Sequence, residues 1–304
     1  MARRIHSKRG SAGIGRPLSD RRAGVALVLA AALSVQFGAA YAVTLFDELG
    51  PGGIAFARLA LSAMFLVVLW RPSLGGRPHG DLRIAALFGL ALGLMNWSFY
   101  ESIERIPLGP AVTIEFLGPL AVAVAGSRRA LDAVWVALAA GGVLALARPW
   151  ENGGDLDALG VGFALAAGVC WAAYIVLSAR TGRVFPGGTG LALAMVVGAL
   201  VTLPAGIVQG GSDLLALHLI GAAAIVALAS SLIPYSLELE ALRRIPANVF
   251  GILLSLDPAL AALAGFLVLD QSLSTLDIAA IGAVVVASAG AAATSRAPVA
   301  SEPP

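Results

Sequence analysis

The sequence predicts an all-α membrane protein of ten transmembrane helices arranged as two inverted five-helix repeats. Three observations carry that prediction: long apolar blocks, a one-sided distribution of basic residues, and an internal match between the two halves. Of the 304 residues, 59% are hydrophobic and only 12% are charged, with a mean hydropathy of +0.88. Soluble domains are about 45–50% apolar and about 25% charged. Crossing the hydrocarbon by helix takes about 20 consecutive apolar residues, and blocks of that kind recur along the chain. A spanning barrel would show short strands of alternating polarity, and no segment here alternates.

In chain order, the first-half spans are expected near 24–45, 52–70, 84–103, 107–126 and 131–148, and the second-half spans near 160–179, 189–209, 217–238, 247–269 and 277–294. The domain boundaries follow: a disordered cytoplasmic tail at 1–22, a first repeat at 23–150, a second at 151–294, and a second tail at 295–304. The N-terminal tail is basic, contains Gly, Ser and Pro, and lacks the apolar core of a cleavable signal. Connections are too short to hold a soluble catalytic domain. Cytoplasmic loops carry the excess of Lys and Arg. With both termini inside, 17 of the 20 basic residues fall on the inner side, among them Arg71, Arg77, Arg83, Arg128, Arg129, Arg180, Arg183, Arg243 and Arg244. Acids such as Asp47, Glu48, Glu151, Asp155, Asp157, Asp213, Asp270 and Asp277 fall outside. This asymmetry accounts for the pI near 9.0 without any nucleic-acid partner.

The repeat is visible directly. ESIERIPLGPAVTIEFLGPLAVA at 101–123 lies on EALRRIPANVFGILLSLDPALAA at 240–262 without a gap. Glu101, Arg105, Ile106, Pro107 and Pro119 fall on Glu240, Arg244, Ile245, Pro246 and Pro258. Five spans per half is an odd number, so the second copy is inverted, and an inverted repeat places a substrate site near the midplane between halves. The acids break the symmetry: Glu115 falls on Leu254, and Asp257 on Gly118. Three residues at 1.5 Å each separate them by about 4.5 Å in depth.

An ionisable side chain at the centre of a span costs roughly 2.5–3.5 kcal/mol on insertion scales, so each needs a reason. Arg58 is either a clamp for a substrate carboxylate or a partner for an acid, since a guanidinium fork matches a carboxylate, or it snorkels to the outer interface. Glu115, about 12 Å into its span, is a proton-coupling carboxylate, an anchor for a substrate ammonium, half of a structural ion pair with Arg58, or a neutral acid donating a hydrogen bond. Asp257 is a second candidate, or it serves backbone groups freed by Pro258. Glu101 with Arg105 and Glu240 with Arg244 have the i, i+4 spacing of interfacial ion pairs. Gln36, Asn96, Ser230, Ser231 and Tyr235 either line a polar path or bond between helices. Trp97, Tyr100 and Trp171 either stack on a ligand or anchor at the interface. No nucleotide-binding loop is present, and His6, His79 and His218 have no metal-ligand spacing, so no enzyme activity, cofactor or metal is expected.

The run GLMNWSFYESIERIPLGPAVTIEFLGPLAVAVAGSRRALDAVWVALAAGG, the run IPYSLELEALRRIPANVFGILLSLDPALAALAGF and the ARLAL of the second span resemble the drug/metabolite transporter superfamily, EamA-type. The likeness covers about 24–294 and is strongest to its exporters of small amino acids of the threonine and homoserine kind. It implies a multi-pass exporter of the bacterial inner membrane, driven by proton antiport. It implies site roles for Arg58, Glu115 and Asp257, the last standing where the family pattern has glutamate. The expected partners are an amino-acid-like substrate, protons and membrane lipid; oligomeric state is left open, a homodimer included. Uptake, transport of another metabolite or drug, and a non-transport scaffold or sensor are the alternatives. Convergence of Arg58 and the acids on one cavity separates transport from the last of these.

Overall fold

The computed structural model describes residues 18–72, 75–125, 130–147, 156–242, 244–245 and 247–294. The two expected tails, apart from 18–22, and Arg128, Arg129, Glu151, Asp155, Arg243 and Pro246 lie outside the described residues. The described chain is helical, with α1 (Leu18–Val43), α2 (Phe46–Trp70), α3 (His79–Arg105), α4 (Leu108–Glu115), α5 (Leu117–Val124) and α6 (Ala130–Ala147) in the first half. The second half holds α7 (Ala158–Val184), α8 (Thr189–Gly210), α9 (Leu217–Ala227), a π-helical turn (Leu228–Leu232), α10 (Ile233–Leu242), α11 (Ala247–Leu254), α12 (Asp257–Leu269) and α13 (Thr275–Thr294).

Local sequence explains the ends. Asp157 Oδ1 accepts from the Leu159 amide at 3.1 Å and caps α7. Ser274 and Asp277 form a reciprocal cap before α13: Asp277 Oδ2 accepts from the Ser274 amide at 2.8 Å, and Ser274 Oγ from the Asp277 amide at 3.2 Å.

Among the described residues, eight helical segments are long and apolar enough to cross a membrane. Shorter apolar helices, Leu108–Val122 and Ala133–Leu146, occupy the positions expected for the fourth and fifth spans. The fourth is cut for a specific reason. Pro119 has no N–H to give the carbonyl of Glu115 four residues earlier, so α4 stops at Glu115 and α5 restarts at Leu117. Pro258 does the same to Leu254, and the ninth span is divided there into α11 and α12. The matched prolines therefore cut matched residues.

Packing between the halves follows a reciprocal scheme. α2 packs on α8, α4 on α12 and α6 on α13, while α3 packs on α7 and α1 on α9, the π turn and α10. Counted as spans, exchanging the halves maps this set of pairs onto itself. The contacts repeat in detail: Gly24 at the start of the first span abuts Ile245 and Arg244, and Gly160 at the start of the sixth abuts Ile106 and Arg105. A Cβ at either glycine would lie within 2.6 or 2.8 Å of the isoleucine, so close approach requires glycine there. Leu49, Ile54, Tyr100, Leu108 and Ile114 lie in the main buried cluster, and Leu59, Leu92 and Met195 in a second. Large apolar side chains such as Val169, Val208 and Phe266 face outward, where a soluble protein would carry charge.

Candidate functional site

A cavity of about 490 Å³ lies among helices of both halves, within the roughly 300–1,000 Å³ range of small-molecule sites. Arg58 of α2, Asn96 of α3, Glu115 of α4, Gln36 of α1, Tyr235 of α10 and Asp257 of α12 all line it. Every residue expected from sequence to bind substrate or couple ions thus reaches one space.

Arg58 does not snorkel. It is 8% exposed and is held by three partners. Nε donates to Ser231 Oγ at 3.1 Å, Nη2 to the Ser230 carbonyl at 2.7 Å, and Nη1 to the Tyr100 hydroxyl at 3.3 Å. Tyr100 is itself fixed edge-on by Phe46, with ring centroids 6.0 Å apart, and by Phe99 at 5.6 Å. Both serines sit in the π-helical turn, a geometry often found at functional sites, which offers Arg58 the Ser231 hydroxyl and the Ser230 carbonyl together. Each terminal nitrogen of Arg58 keeps one further N–H, and together these form the fork that a carboxylate accepts bidentately. Among the described residues no ion pair joins Arg58 to an acid.

Glu115, 7% exposed, is the last residue of α4. Its position depends on two glycines at the crossing with α7. A Cβ on Gly168 would lie 2.8 Å from the Glu115 carbonyl oxygen, and one on Gly118 would meet the Gly168 carbonyl. Asp257, also 7% exposed, opens α12 on the other side of the matched break. Its Oδ1 is sealed and has no hydrogen-bond partner among the described residues, so it does not serve the backbone freed by Pro258. Asn96 Nδ2 donates to the Leu92 carbonyl at 2.8 Å, which leaves its oxygen for the cavity.

Among the lining residues that sequence did not single out are Glu238, Tyr174 and Phe116. The signal for Glu238 lies in SLELEAL: two glutamates two residues apart point to opposite sides of a helix, so only Glu240 can pair with Arg244. Trp171 lines the cavity as well, edge-on to Phe116 with centroids 5.4 Å apart, so it is not merely an interface anchor.

Other expected residues lie elsewhere. Arg105 Nη1 pairs with Glu101 Oε2 at 2.7 Å and Arg244 Nη2 with Glu240 Oε1 at 2.7 Å, the i, i+4 bridges foreseen. Glu101 is more than that. Its Oε1 accepts from Trp97 Nε1 at 3.0 Å and from Gln209 Nε2 at 2.8 Å, while Gln209 Oε1 accepts from the Gly52 amide at 2.5 Å. This clasp ties α3 and α2 of one half to α8 of the other.

Comparison with known proteins fits this architecture. The sequence profile of the EamA-like transporter family matches residues 158–292, the second repeat. The chain is 40% identical over 273 residues to the threonine/homoserine exporter RhtA of Escherichia coli strain K12, covering 90% of this chain and 92% of that protein. RhtA of Salmonella typhimurium strain LT2 matches with the same identity and coverage. One solved chain, known only as "Crystal structure of protein", superposes with a TM-score of 0.55 at 18% identity over 93% of this chain and 99% of its own, a likeness of fold alone. With several apolar helices long enough to span a bilayer, the chain is a multi-pass membrane transporter and not an enzyme, and it belongs to the EamA-like transporter family of the drug/metabolite transporter superfamily.

Proposed function

We propose that this protein exports small amino acids of the threonine and homoserine kind across the bacterial inner membrane, in exchange for protons, by alternating access between two inverted five-span halves. The observation that carries this reading is an arginine with an unused fork and an unpaired carboxylate lining one cavity. A zwitterion needs one group of each sign. Arg58 takes the substrate carboxylate and Glu115 its ammonium, each in a setting poor in water where a charge without a partner is costly. Gln36, Asn96 and Tyr235 supply neutral polar contacts around the side chain. The identity of RhtA, named as a threonine/homoserine exporter, supports the substrate class. The reciprocal packing of the halves and the matched breaks at Pro119 and Pro258 support the inverted repeat. Such a frame has two equivalent ways to close around a fixed site.

The test is export from cells and counterflow in liposomes with a panel of labelled amino acids. Glu115→Gln keeps the size of the side chain and removes its charge. It is expected to insert normally and to lose at least about 90% of threonine flux, the loss of one charge-assisted contact. Undiminished flux would remove Glu115 from the site. Flux confined to uptake, or to substrates without an amino and a carboxylate group, would overturn the exporter reading.

A further inference from the structure

We infer that the cavity also takes amino acids with a cationic side chain, of the lysine kind, and that Glu238 receives the side-chain ammonium; this rests on the amino-acid reading above. Carboxylates outnumber cations three to one in the cavity: Glu115, Glu238 and Asp257 against Arg58. A threonine zwitterion brings no net charge, so it leaves that imbalance as it finds it. An amino acid with a second ammonium brings one net positive charge to a space that lacks it. Among the described residues no ion pair reaches any of the three acids. Nor do three ligating side chains converge there closely enough to hold a metal ion, so the cation that fits is an extended organic one.

The acids are strung out from the arginine. Arg58 is within electrostatic reach of Glu115, Glu115 of Asp257, and Asp257 of Glu238. Ser231, which bonds Arg58, precedes Glu238 by seven residues along one helical stretch, with Tyr235 of the cavity wall between them. At 1.5 Å per residue Glu238 lies about 10 Å along the helix from the arginine's anchor. In lysine six bonds separate the carboxylate carbon from the terminal nitrogen, an extended reach of about 7.5 Å at ordinary bond lengths. One charge-assisted N–H···O bond of about 2.8 Å completes the distance. The threonine hydroxyl ends three bonds from the carboxylate carbon and stops short of Glu238. The wall suits the longer stem as well. Ile175, Phe250 and Leu254 line the same space and cover methylenes, while Trp171 and Tyr174 add aromatic surface that attracts an ammonium. A proton held by any of these carboxylates passes to water when the ammonium takes its place, so atoms and charge balance.

Liposomes holding the full chain test this by competition and by direct counterflow. Labelled threonine counterflow is challenged with unlabelled lysine and with two analogues. Norleucine has the stem of lysine without its amine; 2,4-diaminobutyrate has the charge on a stem two carbons shorter. Lysine is expected to inhibit at concentrations similar to threonine itself, and labelled lysine to enter liposomes preloaded with lysine. Each analogue lacks one charge-assisted contact and is expected to be at least about tenfold weaker than lysine. Glu238→Gln is expected to lower the ratio of lysine to threonine counterflow at least about tenfold, and Glu238→Asp to restore part of it. The panel on the wild type decides even where a variant fails to insert. Threonine counterflow without lysine counterflow would overturn this inference and leave the amino-acid reading standing. So would either analogue matching lysine, or an unchanged ratio in Glu238→Gln. No counterflow of any amino acid by the wild type would overturn the amino-acid reading, and this inference with it.

Discussion

Tyr100 holds Arg58 from behind, bonded to Nη1 at 3.3 Å while staying out of the cavity. Its fixed ring restricts the guanidinium to one orientation. Tyr100→Phe removes only that bond, worth about 1.5–3 kcal/mol for a charged donor and near the low end at this length. The expected result is a rise in the KM for threonine of about tenfold, with the amount of inserted protein unchanged, read from counterflow kinetics. An unchanged KM would show that the π turn alone positions Arg58. Arg58 itself was legible in the sequence because a lone basic residue inside a span demands a reason. Its partners were not: Tyr100 and Ser231 lie 42 and 173 residues away along the chain, and nothing local links a hydroxyl to a distant guanidinium. Glu238 was readable as the glutamate that does not pair with Arg244, but the space it faces was hidden for another reason. The five-residue π turn before α10 changes the phase of the helix, so the direction of every later side chain departs from a 3.6-residue reading.

At the scale of elements, the site depends on a broken helix seated backbone to backbone on its neighbour. Pro119 ends α4 at Glu115, and Gly118 lets the restart at α5 lie directly against Gly168 of α7. The proline and its partner in the repeat were readable from the constant offset between halves. The crossing was not, because a glycine that seals a contact reads the same as one facing lipid. Gly118→Ala places a methyl against the Gly168 carbonyl and forces α5 away from α7, an overpacking cost of about 1–3 kcal/mol. The melting temperature in detergent is expected to fall by several degrees. Threonine flux should fall further than stability accounts for, since Glu115 moves with the break. Gly162→Ala is the control: it lies in α7 with open space around it, and alanine there gains up to about 1 kcal/mol of helix propensity. Equal loss in both variants would remove the crossing from the argument.

For the whole molecule, the pairing of spans across the halves gives two ends that are related but not equal. Glu101 at one end is nearly buried and gathers Trp97, Arg105 and Gln209 into the clasp on Gly52, whereas its repeat mate Glu240 is 38% exposed beside Arg244. Under the alternating access proposed above, these ends would be the two gates, and the clasped one would have to release for the cavity to open there. Which gate faces the cytoplasm depends on orientation, which the basic loops predict: Arg71, Arg77 and Arg83 inside, Asp213 outside. Two exposed positions test it in a Cys170→Ala background, His79→Cys at the start of α3 and Ser212→Cys just after α8. In intact cells an impermeant maleimide is expected to label the Ser212→Cys protein only, and after permeabilisation both. That outcome puts the Glu101 clasp on the periplasmic side and makes its release the exit step for substrate. The reverse labelling would exchange the gates, and the same clasp would then guard entry from the cytoplasm.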